Sequence, residues 1–352
     1  MNQQSKAKLA LNSQAVKDPI NSRSKGGTRR QFVKRSFAMA SLASLSSITA
    51  IPLVGCSKSS SPDNLSDSGV QTKNDTENQT WFDISLAQWS LHRQFLSGMS
   101  STREFAALAK NEFGINAIEY VNQFYMDDYS QALINDLKQR SADLGVKNVL
   151  IMVDKEGHLG ASDKSERLKA IDQHKRWADM AHQLGCHSLR VNAYGDGDYQ
   201  AQISQAAEGL NGLSDYCQPL GLSVCVENHG DLSSNGEWLA SVMQTAANPN
   251  VGTLPDFGNF VTNYDTKEEF DKYRGVELLM PYAKGVSAKV FNFDDEGMEP
   301  DIDFIRMFKM VKDANYSGYV GIEYEGENNG LTEFEGIHKT HELIKRMRAY
   351  YA

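Results

Sequence analysis

Three acidic residues close apolar runs far apart in the chain: Glu227 after Val224-Cys225-Val226, Asp256 after 251–255, and Glu323 after Val320-Gly321-Ile322. Carboxylates normally sit in water on helix surfaces. One that ends an apolar strand is withdrawn from water, which is costly unless it meets a cation, a partner or a proton. Three of them together repel until a divalent ion or a proton sits between them. Other polar residues close similar runs: Gln88, His92, Glu119, Asp154, His158, Arg190, Asn192, Asn228, His229, Asn259, Ser287, Lys289 and Glu325. A plainer reading accompanies each. Glu227 and Asp256 also fit a structural ion-pair network with Arg190 or Lys289. Glu119 fits a hydrogen bond to the next loop, and His92 and His158 fit solvated loop positions. His187 heads its run and reads as structural. Cys186, Cys217 and Cys225 read as small buried hydrophobes. Glu325 shares a face with Glu323 only if that strand extends. Trp89, Tyr120, Tyr125, Tyr194 and Phe257 fit either an apolar wall for a ligand or ordinary core.

The elements that must position these groups alternate regularly. Strands are expected at 83–89, 115–121, 147–153, 187–193, 222–228, 251–256, 285–291 and 318–324. Helix-period segments lie at about 102–113, 128–144, 164–184, 199–219, 235–247, 266–283, 301–314 and 332–350. Gly114, Gly145, Gly185 and Gly221 each stand one or two residues before a strand, where a left-handed residue ends a helix. Eight strand–helix units in residues 81–352 match a (β/α)8 TIM barrel, which takes about 250 residues. A doubly wound sheet competes, but the first βα turn has no glycine-rich phosphate loop. In the barrel, strand carboxyl ends form the active face.

The net charge of −9 over 352 residues conceals an asymmetry. Residues 1–80 hold 11 Lys+Arg against 5 Asp+Glu, whereas 81–352 hold 25 against 40, a net of −15. An acidic body without a basic stripe excludes nucleic acid as the expected partner. The four cysteines match neither a disulfide nor a zinc spacing. In the basic front, Thr28-Arg29-Arg30-Gln31-Phe32-Val33-Lys34 resembles the twin-arginine export signature. A weakly apolar run, 37–53, follows, and Leu53-Val54-Gly55-Cys56 resembles a bacterial lipobox. Residues 1–56 therefore read as a signal peptide with lipobox and 57–80 as a polar, disordered linker. The expectation is an exported, periplasmic lipoprotein touching membrane only through a lipid anchor at Cys56.

Glu227-Asn228-His229-Gly230, Pro255-Asp256-Phe257-Gly258-Asn259, Lys289 and Gly318-Tyr319-Val320-Gly321-Ile322-Glu323 resemble the sugar phosphate isomerase/epimerase family. That family shares the xylose isomerase-like TIM barrel with the AP endonucleases, and the resemblance covers 81–352. It implies a divalent metal at Glu227, Asp256 and Glu323, with the two glutamates moving a proton beside a carbonyl. The family's strand-seven His-x-Lys-Asp reads Ser287-Ala288-Lys289-Val290 here. Without that imidazole an oxygen-rich site favours Mn or Mg over Zn, and His229 becomes a candidate replacement ligand. Lys289 would stabilise the enediolate oxygen if no metal does. Glu119, Arg190, Asn192, His229, Asn259 and Trp89 are the expected substrate contacts. The expected function is a sugar isomerase or epimerase. Two alternatives stand beside it: a keto-glycoside lyase on the same barrel, and a carbohydrate-binding barrel without chemistry.

Overall fold

The computed structural model describes residues 80–327 and 329–352. The signal, lipobox and linker expected over 1–80 lie, but for Thr80, outside them.

All eight expected strands form, each shorter than its apolar run. They are β1 (Asp83–Ala87), β2 (Ala117–Val121), β3 (Lys147–Met152), β4 (Ser188–Val191), β5 (Ser223–Glu227), β6 (Val251–Leu254), β7 (Val286–Val290) and β8 (Tyr319–Tyr324). Seven of the eight seams are parallel ladders, running in the order β6-β5-β4-β3-β2-β1-β8-β7, with one register shift, between Ile118 and Glu119 in the β2–β3 seam. The eighth, β6 to β7, is held by single bridges, Thr253 with Ala283 and Asp256 with Ser287. Close approach there depends on Gly252, since a Cβ at that position would stand 2.3 Å from the Tyr282 carbonyl. The result is a (β/α)8 barrel whose loosest seam runs through two of the chemically interesting residues.

The outer ring comprises α1 (Phe105–Asn111), α2 (Gln131–Leu144), α3 (Lys164–Leu184), α4 (Tyr199–Cys217), α5 (Gly236–Ala246), α6 (Lys272–Leu279), α7 (Phe304–Asp313) and α8 (Glu333–Tyr350). Polar caps start them where a helix leaves amides unsatisfied: Ser130, Asp163, Asp198, Asn235, Asp271, Asp303 and Thr332 each accept from a first-turn N–H. Gly114, Gly145, Gly185 and Gly221 take the left-handed conformation, as expected. Helix-facing strand residues such as Ile118, Ile151, Leu189, Val224 and Val320 bury completely against this ring. α6 departs from expectation. It begins at Lys272, because residues 261–263 and 268–269 fold back as an antiparallel ribbon between β6 and the helix. Asn263 accepts from the Asp265 and Thr266 amides and makes the turn that a helical pattern over 266–283 overlooked.

Candidate functional site at the carboxyl end of the barrel

Each barrel strand delivers its last inward residue to one mouth, and those residues organise around two buried cations. Arg190, on β4, is 3% exposed although it carries a full charge. Its Nε and Nη2 donate to Glu227 Oε2 at 2.6 and 2.5 Å, and its Nη1 donates to Asp154 Oδ1 at 2.8 Å. This fork between two carboxylates is geometry a guanidinium supplies and an ammonium cannot. The other Glu227 oxygen accepts from Asn259 Nδ2 at 2.7 Å. Glu227 is thereby held from both sides.

Lys289, on β7, is 1% exposed. Its Nζ lies 2.9 Å from Glu325, 3.3 Å from Glu323 and 3.9 Å from Asp256. Ser287, two residues earlier on the same face, donates its hydroxyl to Glu323 Oε2 at 2.6 Å. One Asp256 oxygen accepts from the Gly258 and Asn259 amides at 2.8 and 2.7 Å. The other, Oδ2, is buried and has no hydrogen-bond partner among the described residues.

Charge in this pocket follows burial. Burial raises Glu323, only partly offset by Lys289, and it raises Asp256 further. Glu325 is pulled below its usual range because the Lys289 ammonium outweighs the same burial cost. Lys289 is held charged: burial opposes its proton, but Asp256, Glu323 and Glu325 more than compensate. Asp154 falls to about 2, burial being overcome by Arg190 and His229. His229 falls to about 4 through burial and the repulsion of Arg190 and Lys289.

Glu227, Asp256 and Glu323 each offer an oxygen within 4.8 Å of the others, all buried. Oxygens on opposite sides of a divalent ion stand roughly 4–5 Å apart, twice a metal–oxygen bond. The set is all oxygen and one of its members, Asp256 Oδ2, lacks a partner, so the residues fit a hard divalent cation. His229 does not join them. Its Nδ1 lies 2.7 Å from the Tyr194 hydroxyl, and the cluster of acids within 4.8 Å of one another does not include it, so the structure does not bring the expected substitute ligand together with the three carboxylates. The strand ends at Glu227, so the parity argument that carried His229 to the same face fails two residues on.

A cavity of about 530 Å³ opens beside this centre. Trp89, Asp154, Arg190, Asn192, Tyr194, His229, Glu323 and Glu325 line it, whereas Glu227, Asp256 and Lys289 stand behind its wall. Trp89 is fixed there by its indole N–H on Glu325 and by stacking on His92 and Phe124, with centroids 4.9 and 5.9 Å away. Asn192 donates to Asp154 at 2.7 Å and its amide oxygen has no partner.

Three expected substrate contacts are elsewhere employed. Glu119 lies inside the barrel, 2% exposed, accepting from Ser85 Oγ at 2.5 Å. Only a glycine opposite admits it, since a Cβ at Gly321 would meet its carboxylate at 2.8 Å. Asn259 orients Glu227, and Arg190, though on the wall, spends its hydrogen bonds on Glu227 and Asp154. Sequence reasoning under-weighted Glu325, which faces the mouth although β8 ends one residue before it. It passed over Gln123, whose amide donates to Asp154 at 3.1 Å. Its only signal was its place just beyond an apolar strand.

Comparison with known proteins fits this architecture. A family model described as xylose isomerase-like TIM barrel matches residues 105–350. A sugar phosphate isomerase/epimerase from Parabacteroides distasonis superposes with a TM-score of 0.58 at 18% identity, over 80% of this chain and 98% of that one. The IolI protein with a bound zinc atom superposes with a TM-score of 0.60 at 14% identity, over 77% and 99%. By sequence, the chain is 31% identical over 71 residues to a 3'-dehydrocarminate deglycosidase alpha subunit from Microbacterium sp.. That match spans 20% of each protein, so the chain covers about a fifth of this curated relative.

Proposed function

The chain belongs to the xylose isomerase-like TIM barrel family, and from that premise we propose that it moves a proton beside a carbonyl of a sugar or sugar derivative, as an isomerase or epimerase. The observation carrying the reading is the meeting of Glu227, Asp256 and Glu323 at one mouth, with Glu323 on the cavity wall. Glu323, raised by burial toward the range in which a carboxyl both takes and gives protons, is the group that meets substrate. Glu227, behind the wall, is a positioning residue, fixed by Arg190 and Asn259 so that its charge need not reorganise as the proton moves. Ser287 and Lys289 set the rotamer and charge of Glu323 from behind. Trp89 offers an apolar face for a sugar ring, and Asn192 and His229 stand where hydroxyls need partners. The three carboxylates would hold a divalent cation, Mn or Mg by their donor type, which when bound supplies charge to a developing enediolate oxygen.

Substituting Glu323→Gln is expected to lower turnover by roughly 10²–10⁴, the usual share of a positioned acid–base group. Turnover within a few-fold of the parent would abandon the mechanism. The partial match to a deglycosidase favours a second reading, elimination from an oxidised (keto) glycoside, which begins with the same proton abstraction. Assaying keto-glycosides beside free ketoses separates the two. Residues 1–56 are proposed as an export signal ending in a lipidated Cys56. A Cys56→Ser variant that still partitions into detergent and incorporates labelled fatty acid would end that proposal.

A further inference from the structure

The cavity's lining reaches beyond the carboxylates. It joins Glu323, on β8, to Lys155, Gly157 and His158 of the loop that follows β3, three strands away around the barrel, which form its far wall. At the packing density of protein interiors, a hexose of twelve heavy atoms fills about a third of a 530 Å³ space. The far wall is built. Its loop is stapled to the one after β4 by the Gly160–Gly195 bridge and by Gly160 N–H donating to the Tyr194 carbonyl at 2.8 Å. The two backbones touch so closely that a Cβ at Gly195 would stand 2.3 Å from the Gly160 oxygen. His158 and Tyr194 meet edge to face there, centroids 5.8 Å apart. Lys155 holds φ at +61°, a conformation rare outside glycine and found where a surrounding structure imposes it. Charge narrows the ligand further. Arg190, the buried cation on the wall, is spent on Glu227 and Asp154, and Lys289 behind it is shared by Glu325, Glu323 and Asp256.

We propose that the far half of this cavity is a second-ring subsite, so that the substrate is an uncharged glycoside of at least two rings rather than a free monosaccharide or a sugar phosphate. The inference rests on the proton-transfer reading for its inner ring and adds the outer one. His158 and Tyr194 give the second ring an aromatic face, and Gln123 gives its hydroxyls a neutral partner. Among the lining residues a phosphate would find only the exposed Lys155 as an unspent basic side chain.

The test is calorimetric binding of neutral disaccharides, their constituent monosaccharides and the matching sugar phosphates to the parent and to His158→Ala. At least a tenfold preference for a disaccharide is expected in the parent, shrinking at least threefold in His158→Ala while monosaccharide affinity stays unchanged. Equal affinity for one and two rings, tighter binding of a sugar phosphate, or no binding by any neutral disaccharide overturns the proposal. Failure of the proton-transfer reading has a different signature: Glu323→Gln would keep its turnover while the disaccharide preference persisted.

Discussion

The two buried cations of the mouth hold their carboxylates in opposite ways. On the β4–β5 side, Arg190 meets Glu227 and Asp154 at 2.5–2.8 Å through separate nitrogens, and Asn259 completes Glu227. On the β7–β8 side, a single ammonium, Lys289, is shared by Glu325, Glu323 and Asp256 at 2.9, 3.3 and 3.9 Å, and Asp256 Oδ2 is left without a partner. A fork that satisfies both acids makes a fixed wall. A point charge divided among three acids makes a deficit, which either a proton or a metal ion can fill. The raised carboxyls, Glu323 and Asp256, are both on the deficit side. The Arg190 side therefore positions, and the Lys289 side reacts.

Breaking the satisfied side should cost most. Arg190→Met strands Glu227 and Asp154 without their shared cation, and removing one partner of a buried pair typically costs about 3–5 kcal/mol. Thermal unfolding should show that loss, with no more recovery in MnCl₂ than the parent's own shift, because the stranded Asp154 lies outside the three-acid set. Lys289→Met should cost less, because its contacts are longer and two of its partners can protonate. It should also leave a more acidic pocket. Added Mn²⁺ should restore Lys289→Met by up to about 2.7 kcal/mol at a hundred times Kd, a larger shift than in the parent. Equal rescue of the two variants by Mn²⁺ would erase the distinction between the sides.

That asymmetry was only half legible in the sequence. Carboxylates ending apolar strands were visible at once, because an acid following Val-Cys-Val or Val-Gly-Ile has few places to go but a barrel mouth. The eight-unit repeat and its glycine stops gave the fold for the same local reason. Which cation serves which acid was not visible, since Arg190 and Lys289 each lie within reach of several carboxylates until the barrel closes. His229 and Glu325 show the limit of parity arguments. β5 stops at Glu227 and a loop carries His229 toward Tyr194, whereas β8 stops at Tyr324 and the chain still delivers Glu325 inward. Parity holds only while the ladder does. The ribbon at 261–269 was hidden similarly, by a turn made with one asparagine side chain.

The smallest expected effect on turnover lies beneath both sides, at Glu119, where the change is one of stability. Burial, with the nearby Glu323 and Glu227 charges, lifts its carboxyl to about 8 against the Ser85 hydrogen bond that lowers it. Its ordinary value is 4.5, so between about 4.5 and 8 the folded chain keeps a proton that the unfolded chain has released. Folding stability then falls as pH rises through this window, because the unfolded state binds fewer protons there. A glutamine has the same shape and cannot lose that proton. Glu119→Gln should match the parent near pH 4.5 and exceed its unfolding temperature by on the order of 10 °C at pH 8, since about three pKa units at about 1.4 kcal/mol each act at roughly 2–4 °C per kcal/mol for a domain near this size. The gap should widen with pH, and turnover should change little, since Glu119 lies outside the cavity wall. Parallel pH profiles for the two proteins would mean that Glu119 is already ionised in the folded chain. The barrel would then hold one more negative charge near Glu323 and Glu227, and the case for a metal ion there would be stronger.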